Sequence, residues 1–190
     1  MGAVEEAIFR FFNDLPGVGY APVWIVMQLG QLLAIPALAL AALLLRRRRL
    51  ALDLTLSGVA TYALAKLVKA FVQRGRPGAL LDHVAMRGTY AGGLGFVFGH
   101  AADAVALAAA ASPYLSRRGR FVAWGLAAAV GAARLYVGAH LPLDISGGAG
   151  LGLGVAAAVH LLFGSPPGPS EDPPGSALKE SAPRADEGRR

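Results

Sequence analysis

Cysteine is absent from this chain of 190 residues, so neither a disulfide nor a thiolate metal site is available to it. Charge is scarce as well. Only 16% of the residues are Asp, Glu, Lys or Arg, where a soluble domain carries about 25%. The scarcity is concentrated: Pro22 to Leu45 runs for 24 residues without one charged side chain. A hydrocarbon core of ~30 Å is crossed by ~20 apolar residues of helix, so an ordinary soluble globular protein is excluded. A hydrophobic content of 55% and a mean hydropathy of +0.49 exclude disorder for the body of the chain. A net charge of +6 and a pI of about 10.2 would suggest a polyanionic partner in a soluble protein. Here the basic residues stand in short clusters between apolar stretches, as membrane topology requires, and no nucleic-acid partner is read from them. A basic leader is missing too: Glu5 and Glu6 stand where a cleavable signal has its positive region, and Glu6 occupies the position at which myristoylation needs Ser or Thr.

What is present reads as helices. From Ala3 to Leu15, Val4, Ile8, Phe11 and Phe12 fall at helical spacing with Glu5, Glu6 and Arg10 between them. This predicts a helix lying in the membrane interface and ended by Pro16-Gly17. Five spans are expected next, at Pro22–Leu45, Leu50–Val72, Val97–Leu115, Phe121–Val137 and Leu143–Phe163. The fold expected is an all-α integral membrane protein: residues 1–17 an interfacial amphipathic helix, 18–163 a five-helix transmembrane domain, 164–190 a tail. Six of the twelve prolines and five of the twelve acidic residues lie in that tail of 27 residues, which predicts disorder. The clusters Arg46–Arg49 and Arg117–Arg120 lie in loops of one parity and point to the cytoplasmic side. The N-terminal helix, the 73–96 loop and the turn holding His140 then face outward, and the tail is cytoplasmic.

Ionisable side chains in spans cost ~2.5–3.5 kcal/mol even on the lenient insertion scale, and by default they mark functional sites. Lys69 and Arg76 close the second span, His100 opens the third, Arg134 nears the end of the fourth, and His140 and Asp144 bracket the start of the fifth. All six fall at outer helix ends. Three permanent cations on one level repel unless an anion lies between them, and phosphate suits guanidinium forks. Two imidazoles beside a phosphate allow one to attack phosphorus while the other protonates the leaving oxygen. Asp144, four residues after His140, can hold the far nitrogen of the attacking ring, and Pro142 suits the first turn of the helix that carries it. Nothing in this chemistry requires a metal or cofactor, and no carboxylate cluster suggests one.

These residues carry a resemblance. The segment from Lys69 to Arg76-Pro77 matches K-x6-R-P, Gly99-His100 stands where P-S-G-H ends, and Arg134, His140 and Asp144 fit S-R-x5-H-x3-D. The chain thereby resembles the type 2 phosphatidic acid phosphatase superfamily over about Pro22 to Phe163. The resemblance implies a metal-independent lipid phosphate phosphatase of the bacterial plasma membrane. In it Lys69, Arg76, Arg134 and Gly99 bind phosphate, His140 forms a phosphohistidine, His100 is the general acid and Asp144 orients His140. Candidate substrates are prenyl phosphates or diphosphates, phosphatidic acid and phosphatidylglycerol phosphate. The compact size resembles the undecaprenyl-diphosphate phosphatase branch.

The chain departs from the pattern at Val97 and Phe98, which replace Pro and Ser, and at Ala133, which replaces the Ser before Arg134. A lost hydroxyl donor costs ~2.7–4 kcal/mol of transition-state stabilisation by analogy with an oxyanion-hole donor. The alternative is therefore a member that binds anionic lipid without efficient hydrolysis. Among the other charged residues, Lys66 is read as helix packing or snorkelling, Asp53 as a partner of the Arg46–Arg49 cluster, Asp103 as outside the catalytic set, and His160 as interfacial. His83, Arg87 and Tyr90 are candidates to shape a headgroup pocket in the outer loop.

Overall fold

The computed structural model describes residues 2–72, 74–88 and 99–164, and among these residues it contains helices and turns but no strand. The helices are α1 Ala3–Asn13, α2 Tyr20–Gln28, α3 Ala34–Leu44, α4 Arg48–Val72, the single turn α5 Pro77–Leu80, α6 Gly99–Ala111, α7 Arg117–Tyr136 and α8 Pro142–Phe163. Helices α4 and α8 are each long and apolar enough to cross a membrane. Large side chains that a soluble protein would hide lie outside the packed core, among them Phe71 at 86%, Phe121 at 82% and Leu161 at 85% exposure. The tail from residue 165 onward, and with it the expected disorder, falls outside the described residues, as do Tyr90, Val97 and Phe98.

Helix α6 is the axis of the bundle and packs against α4, α7 and α8. Its alanines make this possible: Ala101, Ala102, Ala106, Ala108 and Ala110 are all buried. Small residues let helix backbones approach without the crowding that larger side chains bring. At Gly152 of α8 the approach leaves no room for a side chain, since a Cβ there would lie 2.3 Å from the Ala102 carbonyl oxygen. A second layer forms where Ile35, Ala42, Leu50, Leu54, Leu107 and Ala156 meet, joining α3, α4, α6 and α8.

The first apolar run is not the continuous helix that its composition predicts. It breaks between α2 and α3, where Leu29, Gly30, Gln31 and Ala34 donate to carbonyls three residues back instead of four. Hydrophobicity alone cannot reveal such a break. The break falls at a tertiary contact: Gly30 lies against α6 and α7 so closely that a Cβ would meet the His100 carbonyl oxygen at 2.7 Å and Val130 Cγ1 at 2.9 Å. Gln28 and Gln31 hydrogen-bond each other across the break. Helix α3 then ends in a Schellman turn, with Arg47 N–H donating to the Ala42 carbonyl at 2.8 Å and Arg46 in the left-handed region at φ 58°.

The remaining helices start close to where the sequence places them. Helix α7 begins at Arg117, ahead of the expected Phe121, because the Ser116 hydroxyl caps it by accepting from Gly119 N–H at 3.2 Å. Helix α8 begins with Pro142, and Asp144 reaches back to accept from Leu141 N–H at 2.9 Å. At the other end of the bundle, Asp53 accepts from Tyr114 Oη and pairs with Arg49 Nε at 3.1 Å, as expected of the basic cluster. His160 Nε2 lies 3.9 Å from the same carboxylate. One buried carboxylate thus joins α4, α8 and the turn after α6.

Candidate active site

Five segments bring the sequence-identified groups together. The last turns of α4 supply Lys69, the segment after it supplies Arg76, the first two residues of α6 are Gly99 and His100, and the end of α7 supplies Arg134. His140 comes from the turn between α7 and α8. These residues line one cavity of about 170 Å³ together with Tyr62, Ala65 and Lys66. Among the described residues its cations are Lys66, Lys69, Arg76 and Arg134, and no carboxylate lines it. The first residues of α6 also open onto it, so the positive end of that helix adds to the field. Such a lining is electrostatically suited to an anion of more than one charge.

Burial within the site is graded. Arg134 and His140 are buried, at 6% and 1% exposure, while Lys69, Arg76 and His100 are half-buried at the mouth. Arg134 is held from behind: its Nη1 lies 3.6 Å from the Met27 sulfur at the end of α2. His140 Nδ1 faces Asp144 Oδ2 at 3.7 Å across an i,i+4 pair. The approach is longer than a finished hydrogen bond, as is common before a ligand tightens a site. Burial pushes the His140 imidazole down to about 4; the Asp144 carboxylate opposes the fall, while Arg134 and Arg76 add to it. The ring is therefore neutral at neutral pH, with a lone pair to offer. Asp144, fully buried, lies behind His140 outside the cavity wall.

Three of the cavity residues, Tyr62, Ala65 and Lys66, lie outside the set that the sequence points to. Lys66, read as helix packing or snorkelling, is exposed along α4, with its Nζ 4.6 Å above the Tyr62 ring centroid, and both line the cavity. The signal was present: 62, 65, 66 and 69 share one face of a helix. Of the candidates in the loop after α4, Arg87 and His83 are described. Arg87 donates to the carbonyls of Asn13 at 2.9 Å and Leu15 at 2.6 Å and stacks over Tyr136, which ties the loop to α1 and α7. Asn13, completely buried, pairs with both polar backbone atoms of Ala85. His83 sits in a left-handed turn at φ 53° and does not line the cavity. Asp103, one turn into α6 from His100, is buried, and its Oδ1 has no hydrogen-bond partner among the described residues. Among those residues no three histidine or carboxylate side chains gather as a metal-ligand set would.

An all-helical membrane protein with an anion-receptive cavity holding two imidazoles is the class that fold and site define. The chain matches the PAP2 superfamily over residues 50–165, the stretch that holds every one of these cavity residues, and it belongs to that superfamily. Among solved structures it is similar to LpxE of Aquifex aeolicus, with a TM-score of 0.76 at 22% identity, over 83% of this chain and 94% of that one. It is also similar to the first transmembrane PAP2-type phosphatidylglycerolphosphate phosphatase from Bacillus subtilis, with a TM-score of 0.69 at 23% identity, over 85% of each chain. At these identities the likeness is one of fold. No curated protein matches the chain at a significant level.

Proposed function

We propose that this protein is a membrane phosphatase that removes phosphate from a lipid through a phosphohistidine on His140, without a metal. The observation that carries the reading is the composition of one cavity: among the described residues, two histidines and four cations line it, and no acid does. In the proposed reaction the substrate's phosphate lies among Lys69, Arg76 and Arg134, with backbone at Gly99 beside it. The neutral His140 ring attacks phosphorus, and the bond from phosphorus to the leaving oxygen breaks. His100 gives its proton to that oxygen. Water then attacks the phosphohistidine as His100 takes a proton from it, so that inorganic phosphate leaves and His140 is restored. Asp144 fixes the orientation of the imidazole and stabilises the cationic ring that forms.

The topology proposed with this reaction has five spans, the broken α2–α3 pair counting as the first, and a site facing the extracytoplasmic leaflet. The basic ends at Arg46–Arg49 and Arg117–Arg120 support that orientation. Helix α1 lies in the outer interface: Val4 and Phe11 stay exposed while Phe9 is buried against the bundle. The lipid's chains remain in the bilayer. The substrate class is a prenyl phosphate or diphosphate, phosphatidic acid or phosphatidylglycerol phosphate. Lys66, one turn from Lys69 on the same helix, supports the diphosphate by adding a cation beyond the three that surround one phosphate.

The test is phosphate release by the purified protein in detergent, with excess EDTA, over a panel of these lipids, beside His140→Ala. Release that resists the chelator and disappears in the variant supports the reading. The replacement of Ser by Phe98 favours a second reading, in which the protein binds anionic lipid without hydrolysing it. Lipid binding with no release above the variant would select it, and Phe98→Ser would then restore turnover.

A further inference from the structure

Asp144 is gripped from the side away from His140. Its Oδ2 accepts from Leu141 N–H and faces His140, while its Oδ1 accepts from Arg74 Nη1 at 3.1 Å. Arg74 extends its other fork nitrogen to both carboxylate oxygens of Glu5, at 2.9 and 2.8 Å. Glu5 in turn accepts from Leu143 N–H at 3.2 Å, one of the first-turn donors of α8 that no intrahelical partner can satisfy. The group is well covered: the side chains of Arg74, Glu5 and Asp144 are 20%, 6% and 0% exposed. Arg74 does not line the cavity. It opens instead on a separate cleft, beside Glu5, Val72 and Leu143.

From this arrangement we infer that Arg74 is a positioning residue for the reaction, holding Asp144 toward His140, and that Glu5 of α1 anchors it. The inference rests on the phosphohistidine reading given above. Three features of the geometry lead to it. The two oxygens of Asp144 have divided tasks, so a fork donor on Oδ1 sets the rotation that presents Oδ2 to the imidazole. Arg74 spans two carboxylates with separate nitrogens, which a lysine ammonium cannot do with the same planarity. Glu5 balances the charge of Arg74, so that this guanidinium is committed to the carboxylates and does not compete for the phosphate. Helix α1 thereby becomes part of the machinery, although it supplies nothing to the cavity.

The experiment uses the full-length protein in detergent. Arg74→Gln, Arg74→Lys and Glu5→Gln are assayed for kcat, for KM and for competitive inhibition by inorganic phosphate, with wild type and His140→Ala alongside. Residues that hold a reacting group in place typically contribute 10–100-fold. Arg74→Gln is expected to lower kcat by about that factor, with KM and the phosphate inhibition constant changed by less than about threefold. Arg74→Lys should recover part of the loss because one charged contact survives, and Glu5→Gln should show a smaller fall in kcat of the same kind. A rise of about tenfold or more in the phosphate inhibition constant would make Arg74 a phosphate ligand and overturn the inference. Equal kcat in Arg74→Gln and Arg74→Lys, tracking a loss of folded protein, would reduce it to a structural tie. Full kcat in Arg74→Gln, with His140→Ala inactive, would refute it while leaving the phosphohistidine reading intact. An inactive wild type, or release that survives His140→Ala, would overturn both.

Discussion

Acid acts on the stability of the fold through His140. The ring is 1% exposed in the folded protein, and burial brings its pKa to about 4, against 6.5 for the free side chain. Between those two values the unfolded chain holds a proton on this residue and the folded chain does not. Stability therefore falls as pH falls through that window, and it is unaffected by this residue above pH 6.5 and flat again below about 4. The gap of about 2.5 pH units, at 1.36 kcal/mol for each, amounts to ~3 kcal/mol. For a chain of this length that corresponds to a fall in Tm of roughly 10 °C. The charged groups that bear on the ring, Asp144, Arg134, Arg76 and His100, are all retained in His140→Gln. The assay is thermal unfolding of both proteins in one detergent from pH 7.5 to 4. Wild type should lose ~3 kcal/mol more than the variant across the window. Parallel profiles would refute the argument, since they would mean that the imidazole takes up its proton inside the fold at no cost.

Arg134→Gln should leave the fold intact, because removing one of four clustered cations relieves repulsion. Phosphate release should nevertheless fall by about 10²–10³ through loss of a transition-state contact, as steady-state kinetics would show. Asp53→Asn weakens the knot formed with Arg49, Tyr114 and His160, at a loss of about 1–2 kcal/mol, since the half-exposed Arg49 can still be hydrated. Asp53 lies sixteen residues from Lys69 along α4, about 24 Å, so Tm should drop while kcat/KM holds. Gly152→Ala puts a methyl group into the Ala102 carbonyl and should cost about 3 kcal/mol despite alanine's better helix propensity, read as a lower Tm. Arg46→Gly relieves a left-handed residue at the end of α3 and should raise Tm slightly, by about 0.5–1 kcal/mol.

The site was legible where its chemistry is local. His140 and Asp144 are four apart at the start of a proline-led helix, and Lys69 and Arg76 flank the end of another, so spacing alone placed them near a helix boundary. Charge in an apolar run did the rest for Arg134. What was not legible depends on contacts between distant segments. The break at Gly30 falls at a close contact with α6 and α7, which no hydropathy pattern encodes. Arg74 sits inside the K-x6-R-P segment as an unspecified position, and its partner Glu5 is 69 residues away on a helix whose amphipathic pattern suggested only membrane contact. Lys66 reads as helix packing or snorkelling because a lone charged residue on an apolar helix ordinarily is one or the other; its shared face with Tyr62 and Lys69 is what brings it to the cavity.

The placement of Asp144 outside the cavity has a physical reason. A carboxylate inside the cavity would neutralise one of its cations and repel the phosphate. Placed behind His140, Asp144 can act on the ring without offering a negative charge to the substrate. That position is fully buried, and a lone carboxylate there would be costly. Leu141 N–H supplies one donor and Arg74 supplies a charged one. But Arg74 is itself a cation beside a cationic site, and left unbalanced it would draw the phosphate toward the wrong side of Asp144. Glu5 removes that difficulty with two short contacts. Running outward from the cavity, the neutral His140 ring is followed by Asp144, Arg74 and Glu5, whose charges alternate so that each stabilises the one before it. That alternation is why an N-terminal helix that supplies nothing to the cavity carries a buried glutamate.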